Sequence, residues 1–217
     1  MNLRELKLQA ISASFLILCA ACSSVDKDGV VSETPWLGPL HGFERVSGEE
    51  GFGLFLMSSS DAPVRFERCI VAAPEIIVSA RSDLEAISPT IYRKIKALFA
   101  EVLQQELAKR LPTVNTSRVS NSVSHVIHAA LTNVTITLKT PNSTAAQLSN
   151  LHFSFEESAI EVEIRLRQSN ARQAVIVLPT KAEKTGWIPL RKQFRAFARQ
   201  AAMKASKARS AINAKAD

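Results

Sequence analysis

One stretch of this chain, Ala159-Ile-Glu-Val-Glu-Ile-Arg-Leu-Arg167, alternates apolar and charged side chains without a break. A period of two places Ile160, Val162, Ile164 and Leu166 on one side of a strand and Glu161, Glu163, Arg165 and Arg167 on the other. The pattern predicts one face in a core and one in water. On a solvated face the two glutamates read as cross-strand partners of the arginines rather than as general acid-base groups. Ser169-Asn-Ala-Arg172 then makes a turn and Ala174-Val-Ile-Val-Leu178 returns, so the pair is a hairpin and this part of the chain belongs to an antiparallel sheet.

The remaining elements follow from the same kind of reading. Val64-Arg-Phe-Glu-Arg-Cys-Ile-Val-Ala72 is β-branched and partly alternating, and Glu75-Ile-Ile-Val78 continues it after Pro74. Ser88-Pro89 is a helix start, a hydroxyl cap followed by proline at the first helical position. Behind it Ile91, Ile95, Leu98, Val102, Leu103, Leu107 and Leu111 recur at helical spacing, and Pro112 ends the run. Residues 113–119 read as a short strand, 125–139 as a long one rich in Val, Ile and Thr, and 141–150 as a polar connection. From Ile188, Leu190, Phe194, Phe197, Ala201 and Ala205 trace one face of a final helix. The order argues α+β: a single domain with an antiparallel-rich sheet and two main helices packed on one face, preceded by a signal peptide and a tether.

At the N-terminus, Arg4 and Lys7 precede a short apolar run from Ala10 to Ala21. A charged start, a short apolar centre and small residues before a cut are the layout of a secretory signal. The run is too short to span a bilayer unaided. Its end, Cys19-Ala-Ala-Cys22, resembles the lipobox of bacterial lipoproteins, with Cys19 where leucine is usual. That resemblance implies cleavage before Cys22 and acylation of its sulfur by a diacylglycerol, then of its amine. Ser23 and Ser24, in the two positions that follow, fit transfer to the outer membrane, the periplasmic face of the inner membrane being the alternative. The expected organisation is a signal peptide at 1–21, a lipidated N-terminus and tether at 22–62, an α+β periplasmic domain at 63–206 and a basic frayed tail at 207–217. Within the tether Phe43, Phe52, Leu54 and Phe55 are placed to dock on the domain.

The formal charge of +7 is unevenly spread. Residues 180–217 carry ten Lys/Arg and two Asp/Glu, a net of +8, while 22–179 carry a net of −2. The basic character is therefore a local property of the C-terminal segment and no sign of nucleic-acid binding, which export also disfavours. Arg191, Lys192, Arg195 and Arg199 lie largely off the apolar face of the final helix and are candidate residues for holding an anionic surface. Docking of the apolar face on the sheet is the expected arrangement and leaves these cations available.

Cys69 is the one cysteine left after processing, which rules out a disulfide within the mature chain, and it reads as a small buried apolar residue. His125 and His128 are the one close histidine pair, but three residues apart on a strand they point to opposite faces. They read as surface or edge histidines, with His41 and His152 isolated, and neither a metal nor a cofactor is expected. Nothing matches a nucleophile elbow, a phosphate loop or a metalloprotease histidine motif, so no catalytic residues are assigned.

With these elements in place, the chain resembles a family of proteobacterial lipoproteins, domain of unknown function 3313. The resemblance rests on Gly42-Phe43, Arg68-Cys-Ile-Val71, Glu106-Leu-Ala-Lys109, Ala129-Ala-Leu-Thr-Asn-Val134, Ala159-Ile-Glu-Val-Glu163 and a Trp187-led final helix containing Phe194-Arg-Ala-Phe-Ala198. The hairpin turn departs from the family, with Arg167-Gln-Ser-Asn-Ala-Arg-Gln173 where an acidic residue and Thr-Gly are common. It implies export, lipidation and the α+β class, and no catalytic residues. The expected function is that of a membrane-anchored, non-catalytic envelope binding or assembly module. Its partners would be the lipid membrane, through acylated Cys22, and an envelope protein or anionic envelope component. The alternatives are a cell-envelope enzyme and a carrier of a small ligand or lipid.

Overall fold

The structure is a computed structural model that describes residues 33–34, 36–48, 52–58, 64–83, 85, 87–114, 123–139, 151–180 and 190–217. The signal peptide, Cys22, Ser23, Ser24, the 141–150 connection, Trp187 and most of the expected 113–119 strand lie outside those residues. Of that strand, Thr113 makes a single parallel bridge to Cys69.

An eight-stranded mixed sheet is built from β3 (Phe43–Ser47), β4 (Gly53–Met57), β5 (Cys69–Val71), β6 (Glu75–Val78), β7 (His125–Leu138), β8 (Leu151–Ser154), β9 (Ala159–Leu166) and β10 (Arg172–Pro179). Its order is β3-β4-β10-β9-β7-β5, with β6 and β8 also paired to β7. A two-stranded ribbon, β1 (Glu33–Thr34) and β2 (Gly38–Pro39), precedes it. Helix α1 (Pro89–Ala108) and helix α2 (Leu190–Ala216) pack against each other over one face of the sheet. The fold is α+β and a single domain, as the element order implies. The strands are mostly antiparallel. β5 and β6 run parallel to β7 because α1 carries the chain back along the sheet before β7 begins.

Helix α1 starts where its cap chemistry puts it. Ser88 has extended backbone and its hydroxyl accepts the Ile91 N–H at 3.3 Å, with Pro89 at the first helical position. Ile91, Ile95, Phe99, Val102, Leu103 and Leu107 are buried along one stripe. Helix α2 extends about 40 Å at 1.5 Å per residue. Its buried face is Phe194 and Phe197, then Ala198, Ala201, Ala202, Ala205 and Ala208, then Ile212. Alanines let α2 lie close to α1 and the strands, while Phe194 and Phe197 join an aromatic cluster with Phe99 and Phe155. Phe99 meets Phe194 edge-on at 5.2 Å and Phe155 meets Phe197 edge-on at 5.1 Å.

Strand β7 serves two partners on one edge, β9 along 125–132 and β8 along 135–138. The change of partner occurs at Asn133, whose φ of 57° lies in the left-handed region that asparagine tolerates better than most residues. The Asn133 side-chain amide donates to the Glu157 carbonyl, and the Ser158 hydroxyl donates to the Asn133 carbonyl, both at 3.0 Å. Across the gap, the Thr180 hydroxyl sits 2.8 Å and 2.9 Å from the carbonyl oxygens of Phe155 and Ser158.

Three expectations need correction. The stretch 22–62 assigned to a tether contains β3 and β4, and β4 lies inside the sheet between β3 and β10. Its Leu54, Phe55 and Leu56 are buried on both faces, which a docked linker would not achieve. The 207–217 tail is the last part of α2, not a frayed end. The buried pattern continues through Ala208 and Ile212, Asn213 Oδ1 accepts the Phe66 N–H at 2.7 Å, and Lys215 Nζ donates to the Met57 carbonyl at 2.9 Å. The strand expected at 64–72 is reduced to β5, because residues 64–68 run past α2 instead. There Phe66 donates its N–H to Asn213 and its carbonyl accepts from the Arg209 guanidinium, and so it leaves the ladder.

Candidate functional site

The face of the sheet opposite the helices carries most of the buried charge. Glu161 and Glu163 on β9 were expected in water, yet they are 0% and 4% exposed. The solvated-face reading is therefore wrong for both, and the reason lies far away in sequence. Residues 36–40 cross this face as a strap. Leu37 and Leu40 pack on Phe55, Val175 and Val177 in a cluster separate from the main core, with Trp36, Phe43 and Ala159 at its border. Gly38, with φ of 67°, makes the bend between the two leucines.

The strap is bonded chiefly through its main chain. Glu161 Oε2 accepts the N–H groups of Trp36 at 3.3 Å and Leu37 at 3.2 Å, and Glu161 Oε1 accepts the Thr132 hydroxyl at 2.9 Å. Arg172 donates to the carbonyls of Leu37 at 2.5 Å and Pro39 at 3.2 Å. Glu163 lies between two guanidiniums, with Arg165 Nε at 2.6 Å from Oε2 and Arg172 Nε against Oε1. Buried carboxylates need partners of this kind, since an unpaired buried charge is costly. Arg167 lies beyond β9 and is exposed.

Thr132, Arg172 and residues 36–40 were not singled out from the sequence. One signal was present. Ala174-Val-Ile-Val-Leu178 is apolar at every position, the mark of a strand covered on both faces. Its alternating neighbour β9 hid this, because its outward side chains are charged.

The histidines separate as their spacing requires. His128 lies on the strap side of the sheet, paired across the ladder with Glu163, and burial lowers its pKa while the Glu163 charge opposes that. His125 lies on the helix side, fully buried, stacked on Phe66 at 4.5 Å, with Nδ1 2.8 Å from the Ser124 hydroxyl. The surface or edge reading is thus corrected for His125, whose pKa burial lowers to about 4. His41 and His152 are exposed. Cys69, the register partner of His125 on β5, is buried, and its thiol is pushed up to about 12 by that burial against the opposing charge of Arg209. A thiol so raised stays protonated at neutral pH and is a poor nucleophile.

The basic residues of α2 form the second feature. Arg191, Lys192, Arg195 and Arg199 are exposed along the outer side of the helix, and Met203 and Lys207 continue the line. Arg191 pairs with Glu101 of α1 at 2.5 Å. Among the described residues, Lys192, Arg195, Arg199 and Lys207 take part in no ion pair, and α2 contains no acidic residue. No described helix is long and apolar enough to cross a membrane. No group of three or more His, Cys, Asp or Glu side chains among the described residues could hold a metal ion.

No protein-family model matches this chain, and no curated protein does. Solved structures with partial similarity include two of the PelC dodecamer from Paraburkholderia phytofirmans. One, of a variant, shows 10% identity over 72% of this chain and 97% of that one, at a TM-score of 0.32. The other shows 11% identity over 65% and 90%, at 0.29. The hypothetical protein CT253 from Chlamydia trachomatis shows 10% identity over 68% and 94%, at 0.28. At such TM-scores the likeness bears on neither function nor assembly.

Proposed function

We propose that this chain is a bacterial envelope lipoprotein, held by acyl chains on Cys22 and carrying a non-catalytic binding module. The anchor reading rests on Cys19-Ala-Ala-Cys22 after a short apolar run, with Ser23 and Ser24 directing it to the outer membrane. Two or more acyl chains on one residue suffice for stable membrane attachment.

The binding reading rests on one observation, the row Lys192, Arg195 and Arg199 exposed on α2 without a neutralising partner among the described residues. Because the apolar face of α2 is spent on the sheet, this row is presented on a rigid helix. It suits an anionic component of the envelope, a phosphate-bearing lipid or an acidic protein surface. Near an anionic surface each such cation contributes on the order of 1 kcal/mol, and salt weakens the attraction.

The anchor is tested by fractionating cells that express Cys22→Ala, which is expected to leave the membrane fraction. Persistence of a full-length, membrane-bound Cys22→Ala protein defeats it. The binding row is tested by cross-linking the full chain in intact envelopes at low and high salt. The triple change Lys192→Glu, Arg195→Glu and Arg199→Glu is expected to lose the captured component while the fold stays intact. Equal capture by parent and triple variant means that the row binds nothing.

A further inference from the structure

The strap and the charges beneath it point to a second binding site, independent of the basic row. Residues 36–40 are held through groups that any peptide offers, two successive N–H groups on Glu161 and two carbonyls on Arg172. What is particular to their sequence is the bend at Gly38 and the pair Leu37 and Leu40, seated on Phe55, Val175 and Val177. That cluster is separate from the core formed by the helices and the other sheet face. The strap can therefore lift without opening the main core.

A cover with no other task would be served by apolar contacts alone. Replacing a buried ion pair by well-packed apolar residues is often neutral or stabilising. Here the covered face instead holds Glu161, Glu163, Arg165 and Arg172, and two of those four grip the strap backbone. The strap is the tight turn of the β1-β2 ribbon, and the left-handed bend at Gly38 brings Leu37 and Leu40 to the same side, so the covered face grips the main chain of a turn and seats two apolar side chains.

We infer that residues 36–40 are a releasable strap over a peptide-binding cradle made by Glu161, Arg172, Thr132, Phe55, Val175 and Val177. When the strap lifts, the cradle takes a turn of a partner protein that presents two successive backbone N–H groups and, on one side of its bend, two leucine-like side chains three positions apart. The strap is the chain's own copy of that ligand and keeps the cradle filled until the partner displaces it.

The test uses the full chain, amide hydrogen exchange and a synthetic peptide of residues 33–41 as the probe. The Trp36 and Leu37 amides are expected to exchange at least ~10-fold faster than those of Val162 and Ile164, because local opening precedes global unfolding. Glu161→Leu is expected to speed the strap amides by a further ~10-fold, from the loss of a charge-assisted acceptor, and to leave β9 protected. The double variant Leu37→Ala, Leu40→Ala weakens the strap, keeps the cradle, and carries the test if Glu161→Leu does not fold. It is expected to bind the peptide saturably, and Arg172→Met in that background to abolish the binding. Strap amides that exchange at the β9 rate would overturn the releasable strap. A double variant that fails to bind the peptide would overturn the cradle.

Discussion

The carboxylate of Glu161 accepts the backbone N–H of Leu37 at 3.2 Å across 124 positions of sequence. This contact turns a strand that looks half-solvated into one buried on both faces. Its third partner, the Thr132 hydroxyl, belongs to the neighbouring strand β7. Three elements thus converge on one carboxyl group.

Removing the hydroxyl alone isolates its share. Thr132→Val keeps shape and β propensity but strips a donor from a buried carboxylate, so it is expected to destabilise the fold by about 1–2 kcal/mol. Urea denaturation at neutral pH measures this. A loss near zero would mean that the two strap N–H groups satisfy Glu161 without help.

His125 makes stability depend on pH. Its pKa falls from 6.5 to about 4 on folding because burial disfavours the cation. The unfolded chain therefore binds the proton more readily, and protonation favours unfolding. The stabilisation is complete above pH ~6.5 and is lost as pH falls toward 4. Between pH 7 and 4.5 this amounts to about 2–3 kcal/mol. In His125→Leu the fall in unfolding free energy over that interval is expected to be smaller by that amount. An unchanged fall would assign the pH dependence to carboxylates.

The alanine face of α2 leaves no room. Ala201 is fully buried between the helices and the sheet, and Ala196 on the same helix is exposed. Ala201→Leu is expected to cost about 1–3 kcal/mol by overpacking, while Ala196→Leu stays within about 0.5 kcal/mol of the parent. Thermal melts of the two variants side by side make the comparison. Similar losses would show that helix propensity, not packing, governs this face.

Asn133 tests the change of partner along β7. At its φ of 57° an alanine is strained by about 1–2 kcal/mol and also loses the bond to Glu157. Glycine loses the bond alone. Asn133→Gly is therefore expected to melt above Asn133→Ala, and the reverse order would contradict a conformational role.

Much of the layout could be read from local pattern. The start of α1 at Ser88-Pro89, the hairpin of β9 and β10, the long strand β7 and the apolar stripe of α2 each express a short-range period or a cap, and the structure has them where the pattern put them. The opposite faces of His125 and His128 follow from the same two-residue period. The end of α2 was legible too, since Ala205, Ala208 and Ile212 continue the stripe, but the high density of lysine and arginine masked it.

What is buried against what depended on distant chain. Whether a charged strand face meets water or another segment depends on which segment crosses it, and no period inside 159–167 encodes that. The 36–40 strap covers Glu161 and Glu163, and β4 enters the sheet beside β10, through contacts more than a hundred positions apart. The sequence alone determined the α+β class, both helices and the hairpin, because backbone periodicity and capping are local. Only the tertiary structure decided that the glutamates are buried, that 43–57 belongs to the sheet and that His125 is enclosed. Burial is a property of the assembled layers, where desolvation and its compensating hydrogen bonds are contributed by residues from unrelated parts of the chain.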